Sequence, residues 1–426
     1  MVYDAIVIGA GQAGLVAGYH LQQAGLRFMI LEAGEQPGGS WPQFYDSLSL
    51  NSTARYSSLP GLPFPGQLDR YPRRDEVVAY LRSYAAHFAL PIVTGAAVAK
   101  IERSGRFFRV TTGDKGYFKA YTIVAATGFF GQPHLPNLPD QAQFRGQIMH
   151  SAHYRRPESF RQQRVLVVGG ANGAVQIGIE LAQVARVTLA TRRPLRYLPQ
   201  RVLGRDIHFW LKLSGLDRTQ WLDEKSMPIF DTGTYRTAIS AGLPDRQPMF
   251  ERFTPDGVIW SDGRYEKVDT VIFATGYRAK LPYLADLGAL DETGRAQQHR
   301  GASTTVPGLY YVGLPRQRTV ASATLRGVGV DAKIVVNHLQ RYRQVERQKD
   351  TRRAADSLLK RRTQVWTSRS QEWVGLIGLM TLALRQQIAT QKSATPRLVG
   401  EAMVQSVRVS AGFLGFGHAA ELYAPI

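Results

Sequence analysis

Gly9-Ala10-Gly11-Gln12-Ala13-Gly14 cuts short a β-branched run, Val2-Tyr3-Asp4-Ala5-Ile6-Val7-Ile8, and leads into the helix-like Leu15-Val16-Ala17-Gly18-Tyr19-His20-Leu21. These types at this spacing suit one task, the holding of a pyrophosphate. Gly9 permits a tight turn, Gly11 lets the backbone approach the phosphates, and Gly14 lets helix and strand pack closely. The helix start at Gln12 and Ala13 then offers free amides and a partial positive charge. Phe28-Met29-Ile30-Leu31 reads as a second buried strand closed by Glu32, which falls 18 residues after Gly14. Strand, glycine turn, helix, strand and acid together give the frame that a lone glycine motif lacks. A carboxylate at 32 accepts hydrogen bonds from a ribose and disfavours a 2′-phosphate, so this first unit suits FAD or NAD rather than NADP.

A second unit begins near Arg164. The strand Val165-Leu166-Val167-Val168 runs into Gly169-Gly170-Ala171-Asn172-Gly173-Ala174, and a helix is expected from Val175 to about Ala185. The glycine frame falls on Gly169, Ala171 and Ala174, so its middle glycine is replaced, and a methyl there is expected to weaken or shift phosphate binding. Asn172 and Gly173 complete the turn. The next strand, Val187-Thr188-Leu189-Ala190, ends in Thr191-Arg192-Arg193 instead of an acid. Guanidinium groups suit a doubly charged 2′-phosphate, which makes NADP(H) the expected ligand; the competing reading is that both arginines are merely exposed surface. Two nucleotide units of opposite preference in one chain imply hydride traffic from NADPH to a flavin.

The elements that must position these turns alternate strand and helix twice, which predicts an α/β chain with two Rossmann-like dinucleotide-binding domains. At 426 residues with 44% hydrophobic and 20% charged positions, the chain is long enough for such an arrangement. It holds no cysteine, which excludes disulfides, thiolate-held metal and any dithiol redox chemistry of its own. No metal site is expected. The formal charge is +20, read as a solvated arginine-rich surface or as an attraction for phosphate-bearing ligands and anionic surfaces. No nucleic-acid module and no basic-aromatic stripe stands out, so no nucleic-acid partner is expected. No apolar run reaches the roughly 20 residues of a membrane span, and a cytoplasmic enzyme is the expectation.

Further segments carry a family resemblance. Phe144-Arg145-Gly146-Gln147-Ile148-Met149-His150-Ser151-Ala152-His153-Tyr154 matches FxGxxxHxxxY just ahead of the second glycine turn. Asp269-Thr270-Val271-Ile272-Phe273-Ala274-Thr275-Gly276-Tyr277, with Pro282 beyond it, matches DxxxFATGYxxxxP. Gly38-Gly39-Ser40-Trp41 precedes Tyr45-Asp46-Ser47-Leu48-Ser49-Leu50-Asn51, Ala126-Thr127-Gly128 marks a strand return, and Gly308-Leu309-Tyr310-Tyr311-Val312-Gly313 reads as a closing strand. In number and order these resemble the flavin-containing monooxygenases, and among them the compact bacterial CzcO-like flavoproteins, from about Val2 to about Leu339.

The resemblance implies FAD and NADPH as cofactors and a small-molecule substrate and O2 as partners. It implies FAD contacts at Gly39, Trp41, Thr127 and Gly313, nucleotide contacts at Thr275, Gly276 and Tyr277, and a catalytic Asn51 at the oxygen-bearing side of the flavin. As a competing reading, Asn51 caps the turn that follows. The implied reaction is reduction of FAD, addition of oxygen to give a C4a-(hydro)peroxyflavin, and transfer of oxygen to a soft nitrogen or sulfur nucleophile. Tyr45-Asp46-Ser47 and Tyr154 stand where Baeyer–Villiger relatives carry another loop, which favours heteroatom oxygenation over attack on a ketone. His150 and Tyr154 are read as linker residues rather than acid–base catalysts. Two alternatives stay open: an NADPH dehydrogenase serving a quinone or protein acceptor, and a non-catalytic FAD-binding redox sensor.

The expected division is an FAD-binding domain over 1–155 and 280–345 with an NADP-binding domain, 156–279, inserted. Within the insert, Arg205 to Phe253 is placed over the substrate cavity. A helical or poorly ordered extension, 346–426, follows. From Arg341 onward there are 14 basic and 6 acidic residues. The apolar stretch Trp373 to Leu384, flanked by Arg369 and Arg385, is too short to span a bilayer. It is read as a contact for a membrane surface or partner protein, or as docking on its own protein; a homodimer is also admitted.

Overall fold

The computed structural model describes residues 1–219 and 228–390, with the backbone alone for Arg218, 362–373, Leu384 and 387–390. The chain divides into two units, Met1–Val345 and Glu346–Ile426.

The first unit is built on two sheets. In one, Val2–Ile8 lies between Phe28–Leu31 and Tyr117–Ala125, all parallel. Leu309–Tyr311 extends it in parallel beyond Tyr117–Ala125. Ala5, Ile6 and Val7 have no exposed surface, because layers cover both faces, and that is why the strand reads as an unbroken apolar run instead of alternating. The helix Gln12–Gln23 packs on this sheet so closely that a methyl on Gly18 would lie 2.7 Å from Ile30 Cδ1. The other sheet is fully parallel, in the order Asp245–Pro248, Arg186–Thr191, Arg164–Val168, Thr270–Phe273, Gln147–His150. The fold is therefore α/β with two Rossmann-like sheets, as the alternation of elements implies.

The second helix starts earlier than its apolar pattern suggests. It spans Asn172–Leu181 rather than Val175 to Ala185, because the Val175 N–H already bonds the Ala171 carbonyl at 3.1 Å. Asn172, Gly173 and Ala174 carry no large apolar side chain, which hides that first turn from periodicity.

Val98–Ser104 and Phe107–Thr112 pair antiparallel and continue onto the beginning of Tyr117–Ala125. Arg103 lies over Phe108, Arg106 over Phe107 and Arg109 over Tyr117, at 4.5, 5.0 and 4.2 Å from the ring centroids.

The first unit ends in a helix over residues 325–345. From it, Leu325, Val328, Ala332, Val335, Val336 and Leu339 join the core that surrounds the helix Gln12–Gln23. Arg343, 3% exposed, donates from Nη2 and Nε to Asp4 Oδ1 at 2.9 and 3.1 Å, with its guanidinium 3.4 Å from the Tyr121 ring centroid. Removing one partner strands a buried charge, so Arg343→Ala is expected to lower the unfolding free energy by about 3 kcal/mol in urea denaturation. An undiminished midpoint would show that the pair holds nothing together.

In the second unit Val374, Leu379 and Leu382 are largely exposed, and residues 391–426 lie outside the described chain. Among the described residues no helix is long and apolar enough to cross a membrane, and no cluster of His, Cys, Asp or Glu is placed to hold a metal.

Candidate active site

Both glycine turns open into one cavity of about 2160 Å³, well above the roughly 300–1,000 Å³ of a single small-molecule site. Every residue expected to contact a cofactor or the reacting oxygen lines it, except Gly14. Gly14 acts one layer behind. A methyl there would fall 1.8 Å from the Gly9 carbonyl oxygen, so its lack of a side chain fixes how deeply the helix seats against the turn. Gly9 has φ +100° and Gly39 has φ +58°, and a methyl on Gly39 would come within 2.8 Å of Gly11 Cα. Two bare backbones thus face each other across the first turn, a cradle that any side chain would fill. Gly313 closes it from a third side, 2.7 Å separating its would-be methyl from Ala13 Cβ.

Glu32 is buried beside this cradle. Its Oε2 accepts from Ala10 N–H at 2.5 Å and its Oε1 from Gly34 N–H at 2.9 Å. The carboxylate therefore braces the turn, and each oxygen keeps acceptor capacity toward the cavity. Gln12 Nε2 donates to Ala323 O at 2.7 Å while its Oε1 accepts from Trp41 Nε1 at 3.0 Å, which fixes the indole over the turn. From Trp41 an edge-to-face series runs through Phe44, Phe130 and Tyr277 to His150, with successive centroids 4.9 to 5.5 Å apart. The series joins the two strand-end turns. Thr127 Oγ1 pairs with the Tyr283 hydroxyl at 2.9 Å, and Thr275 Oγ1 donates to the His134 carbonyl.

At the second turn, Gly169 has φ +148°, and a methyl on it would meet the Ala274 carbonyl oxygen at 2.5 Å. Ala171 caps the helix in extended conformation and Gly173 has open space around it. Asn172 turns away from phosphate duty in part, since its Oδ1 accepts from Phe230 N–H at 2.9 Å. Arg192 and Arg193 are exposed at the cavity mouth, directly after Arg186–Thr191, and Arg196 joins them in the lining.

His150 and Tyr154 have structural partners. His150 Nδ1 accepts from Ala152 N–H and its Nε2 faces the Gly276 carbonyl, both at 3.0 Å, so the ring carries its proton on Nε2 and is neutral. Burial pulls its pKa below the usual histidine value. Tyr154 is fully buried and donates to Glu180 Oε2 at 2.7 Å.

Asn51 is held from the opposite sheet. Gln176, one turn beyond Asn172 on the same helix, accepts from the Tyr45 hydroxyl at 2.6 Å through Oε1 and donates from Nε2 to Asn51 Oδ1 at 3.3 Å. The Asn51 carbonyl accepts from Gln200 Nε2 at 3.4 Å. Both bonds to Asn51 come from residues far along the chain, Gln176 and Gln200. Gln176 is a site residue that reading along the chain misses, although its i, i+4 relation to Asn172 puts both on one helix face.

The model of the pyridine nucleotide-disulphide oxidoreductase family matches residues 6–313. The chain is 34% identical over 349 residues to an uncharacterised oxidoreductase, CzcO, of Bacillus subtilis, covering 79% of this chain and 99% of that one. It is 28% identical over 390 residues to indole-3-pyruvate monooxygenase YUCCA4 of Oryza sativa subsp. japonica, covering 79% and 87%. Among solved structures it is similar to a flavin-containing monooxygenase from Stenotrophomonas maltophilia, with a TM-score of 0.72, 32% identity, and coverage of 80% and 99%. With no cysteine in the chain, the disulphide chemistry in the matched family's description has no dithiol here to run on.

Proposed function

This chain belongs to the flavin-containing monooxygenases of the pyridine nucleotide-disulphide oxidoreductase family, and from that premise we propose an NADPH-dependent FAD monooxygenase that oxygenates a small soft nucleophile at nitrogen or sulfur. The observation that carries the reading is the single cavity shared by two phosphate cradles, with Asn51 lining it and tied by Gln176 to the second of them. FAD suits the first cradle: facing bare backbones at Gly11 and Gly39, helix amides at Gln12 and Ala13, and the spare acceptor capacity of Glu32 for a ribose. NADPH suits the second, with Gly169, Ala171, Asn172, Gly173 and Ala174 under the pyrophosphate and Arg192 and Arg193 at the 2′-phosphate.

Bound FAD supplies the redox chemistry and oxygen activation. The chain's own part is to place, orient and shield. Thr127, Gly313, Thr275, Gly276 and Tyr277 shape the walls where the two cofactors approach. The aromatic series from Trp41 to Tyr277 excludes water, and low local polarity strengthens whatever hydrogen bonds remain. Asn51 offers a neutral donor without adding charge. No acid–base pair is required of the protein, in keeping with His150 and Tyr154 being occupied by structural bonds.

Labelled dioxygen decides the point. With FAD-loaded protein, NADPH and a panel of amines and thioethers, one labelled oxygen atom should enter the product for each NADPH consumed. NADPH oxidation that yields only hydrogen peroxide or reduced quinone, with no label incorporated, would overturn the proposal in favour of a dehydrogenase.

The nucleotide preference is testable separately. Two charge-assisted contacts are worth about 1.5–3 kcal/mol each. Arg192→Ala with Arg193→Ala should accordingly raise the NADPH KM by about tenfold or more, at 1.4 kcal/mol per decade, and leave the NADH KM nearly unchanged. Equal shifts for both nucleotides would mean that neither arginine reads the 2′-phosphate.

A further inference from the structure

His208, Phe230 and Arg326 line the same cavity as Asn51, and none of their side chains is among those assigned to either phosphate cradle. We infer that His208 and Arg326 form an anion subsite that reads a carboxylate on the molecule to be oxygenated. The inference rests on the monooxygenase reading only for calling that molecule the substrate.

His208 is 4% exposed, and its orientation is fixed from several sides. Its Nδ1 lies 2.7 Å from Asp206 Oδ1, and its own backbone N–H donates to the same oxygen at 2.8 Å. The other oxygen, Asp206 Oδ2, accepts from the Tyr71 hydroxyl at 2.9 Å. Burial works to raise the Asp206 pKa, and the bonds from His208 and Tyr71 outweigh it, keeping a carboxylate below the ordinary range. The imidazole lies beside Tyr56 and Phe230, with ring centroids 6.0 and 5.5 Å away. With Nδ1–H given to Asp206, Nε2 is the nitrogen left over, and among the described residues it has no hydrogen-bond partner; it meets a carboxylate as a donor when the ring carries both protons, with the Asp206 carboxylate balancing that charge from behind. A buried ring locked by its far side and lining a cavity is built to meet something in that cavity.

Arg326 stands in the first turn of the helix that begins at Leu325 and is half-buried in the same lining. Burial, the largest influence, lowers its pKa, while the charges of Asp217 and Asp206 act in the opposite direction. It remains a cation, since guanidinium does not deprotonate in proteins. Among the described residues no hydrogen bond or ion pair reaches it. Both Asp206 oxygens are engaged by Tyr71 and His208, and Asp217 is not within ion-pair distance. A partly desolvated guanidinium without a counter-ion is costly unless a ligand supplies one, and its planar fork matches a carboxylate in two bonds.

The subsite is linked to Asn51 through Gln200, as well as to the second cradle through the Asn172–Phe230 bond. Gln200 donates to the Asn51 carbonyl, and the Gln200 carbonyl accepts from Ile207 N–H at 2.8 Å, immediately before His208. Val320 N–H, at the approach to the Leu325 helix, bonds the Thr219 carbonyl at 3.2 Å, which ties Arg326 to the segment that carries His208. Phe230 adds an apolar surface for the body of such an acid.

Binding to the FAD-loaded full chain tests this without turnover. The probes are 3-(methylthio)propionate, methylthioacetate and (phenylthio)acetate, each beside its own primary amide, titrated against flavin absorbance and protein fluorescence. At least one acid should bind about tenfold or more tightly than its amide. Arg326→Gln should bring that ratio close to one with flavin content and visible spectrum unchanged, Arg326→Lys should keep part of it, and His208→Gln should reduce it. Asp217→Asn should tighten acid binding, because a repelling charge is removed. Equal binding of acid and amide, or binding of neither, overturns the inference. So does an Arg326→Gln protein that loses flavin or shifts its spectrum, which would assign the cation to the flavin. An acid held through Arg326 yet never labelled from dioxygen would support this subsite and sink the monooxygenase reading alone.

Discussion

Gly14→Ala is expected to yield protein nearly devoid of flavin. The added methyl would sit 1.8 Å from the Gly9 carbonyl oxygen and 2.9 Å from its carbon, with Val7 Cγ1 at 3.4 Å behind it. None of these is the loose end of a flexible chain. The strand Val2–Ile8 cannot retreat, since it is hydrogen-bonded on both sides by Phe28–Leu31 and Tyr117–Ala125. The helix Gln12–Gln23 must lift instead, and its first amides leave the phosphate position. Overpacking of this kind costs about 3 kcal/mol or more, which alone lowers FAD affinity by about two decades. Flavin absorbance per mole of purified protein measures the effect, and Gly113→Ala, whose methyl would meet nothing within 4 Å, is the matched control. Full flavin content in the Gly14 variant would mean that FAD is held elsewhere than on this turn.

That expectation could be framed from the chain alone, because the glycine turn is local. Gly9, Gly11, Gly14 and Glu32 sit within one strand–helix–strand unit, so their roles follow from spacing. The same locality made the Arg192–Arg193 strand end and the turns at Thr127 and Thr275 visible. What stayed hidden is what the fold joins across long separations. Gln176 reaches Asn51 over 125 positions, and Tyr71 reaches Asp206 over 135. Nothing in a run of neighbours reports such a bond. Glu32 shows a subtler limit: its place was legible, but its bracing of Ala10 and Gly34 was not. His208 lay nearer to view, since Asp206 is an N-cap for the helix Ile207–Leu213. Its place on a cavity wall depends on contacts outside that helix. Arg326 had no local signal at all, being one arginine among many in a basic chain, and only the lack of a partner inside a cavity distinguishes it.

Asn51→Ala is expected to keep its flavin and lose its coupling. The hydrogen-bond network decides which end of this amide does the work. The Tyr45 hydroxyl donates to Gln176 Oε1, and Gln176 Nε2 donates to Asn51 Oδ1 and to the Ser49 carbonyl. That leaves the Asn51 Nδ2 donors without a partner among the described residues, on a residue that lines the cavity. Alanine removes those donors but leaves the backbone carbonyl that receives Gln200, so the loop and the FAD cradle should persist. A lost preorganised donor costs on the order of 10²-fold in rate when charge develops beside it, and the competing outcome needs no donor: reduced oxygen leaves as hydrogen peroxide. NADPH oxidation should therefore continue, with most of its electrons recovered as peroxide and coupled product falling by about tenfold or more. Gln176→Leu should uncouple to a smaller extent, because it frees the Asn51 amide to rotate without deleting it. A peroxidase-coupled assay run beside NADPH consumption reads both variants. Coupling unchanged in Asn51→Ala would remove this residue from the reaction, and a Gln176→Leu protein more severely uncoupled than Asn51→Ala would place the critical donor on the helix rather than on the loop.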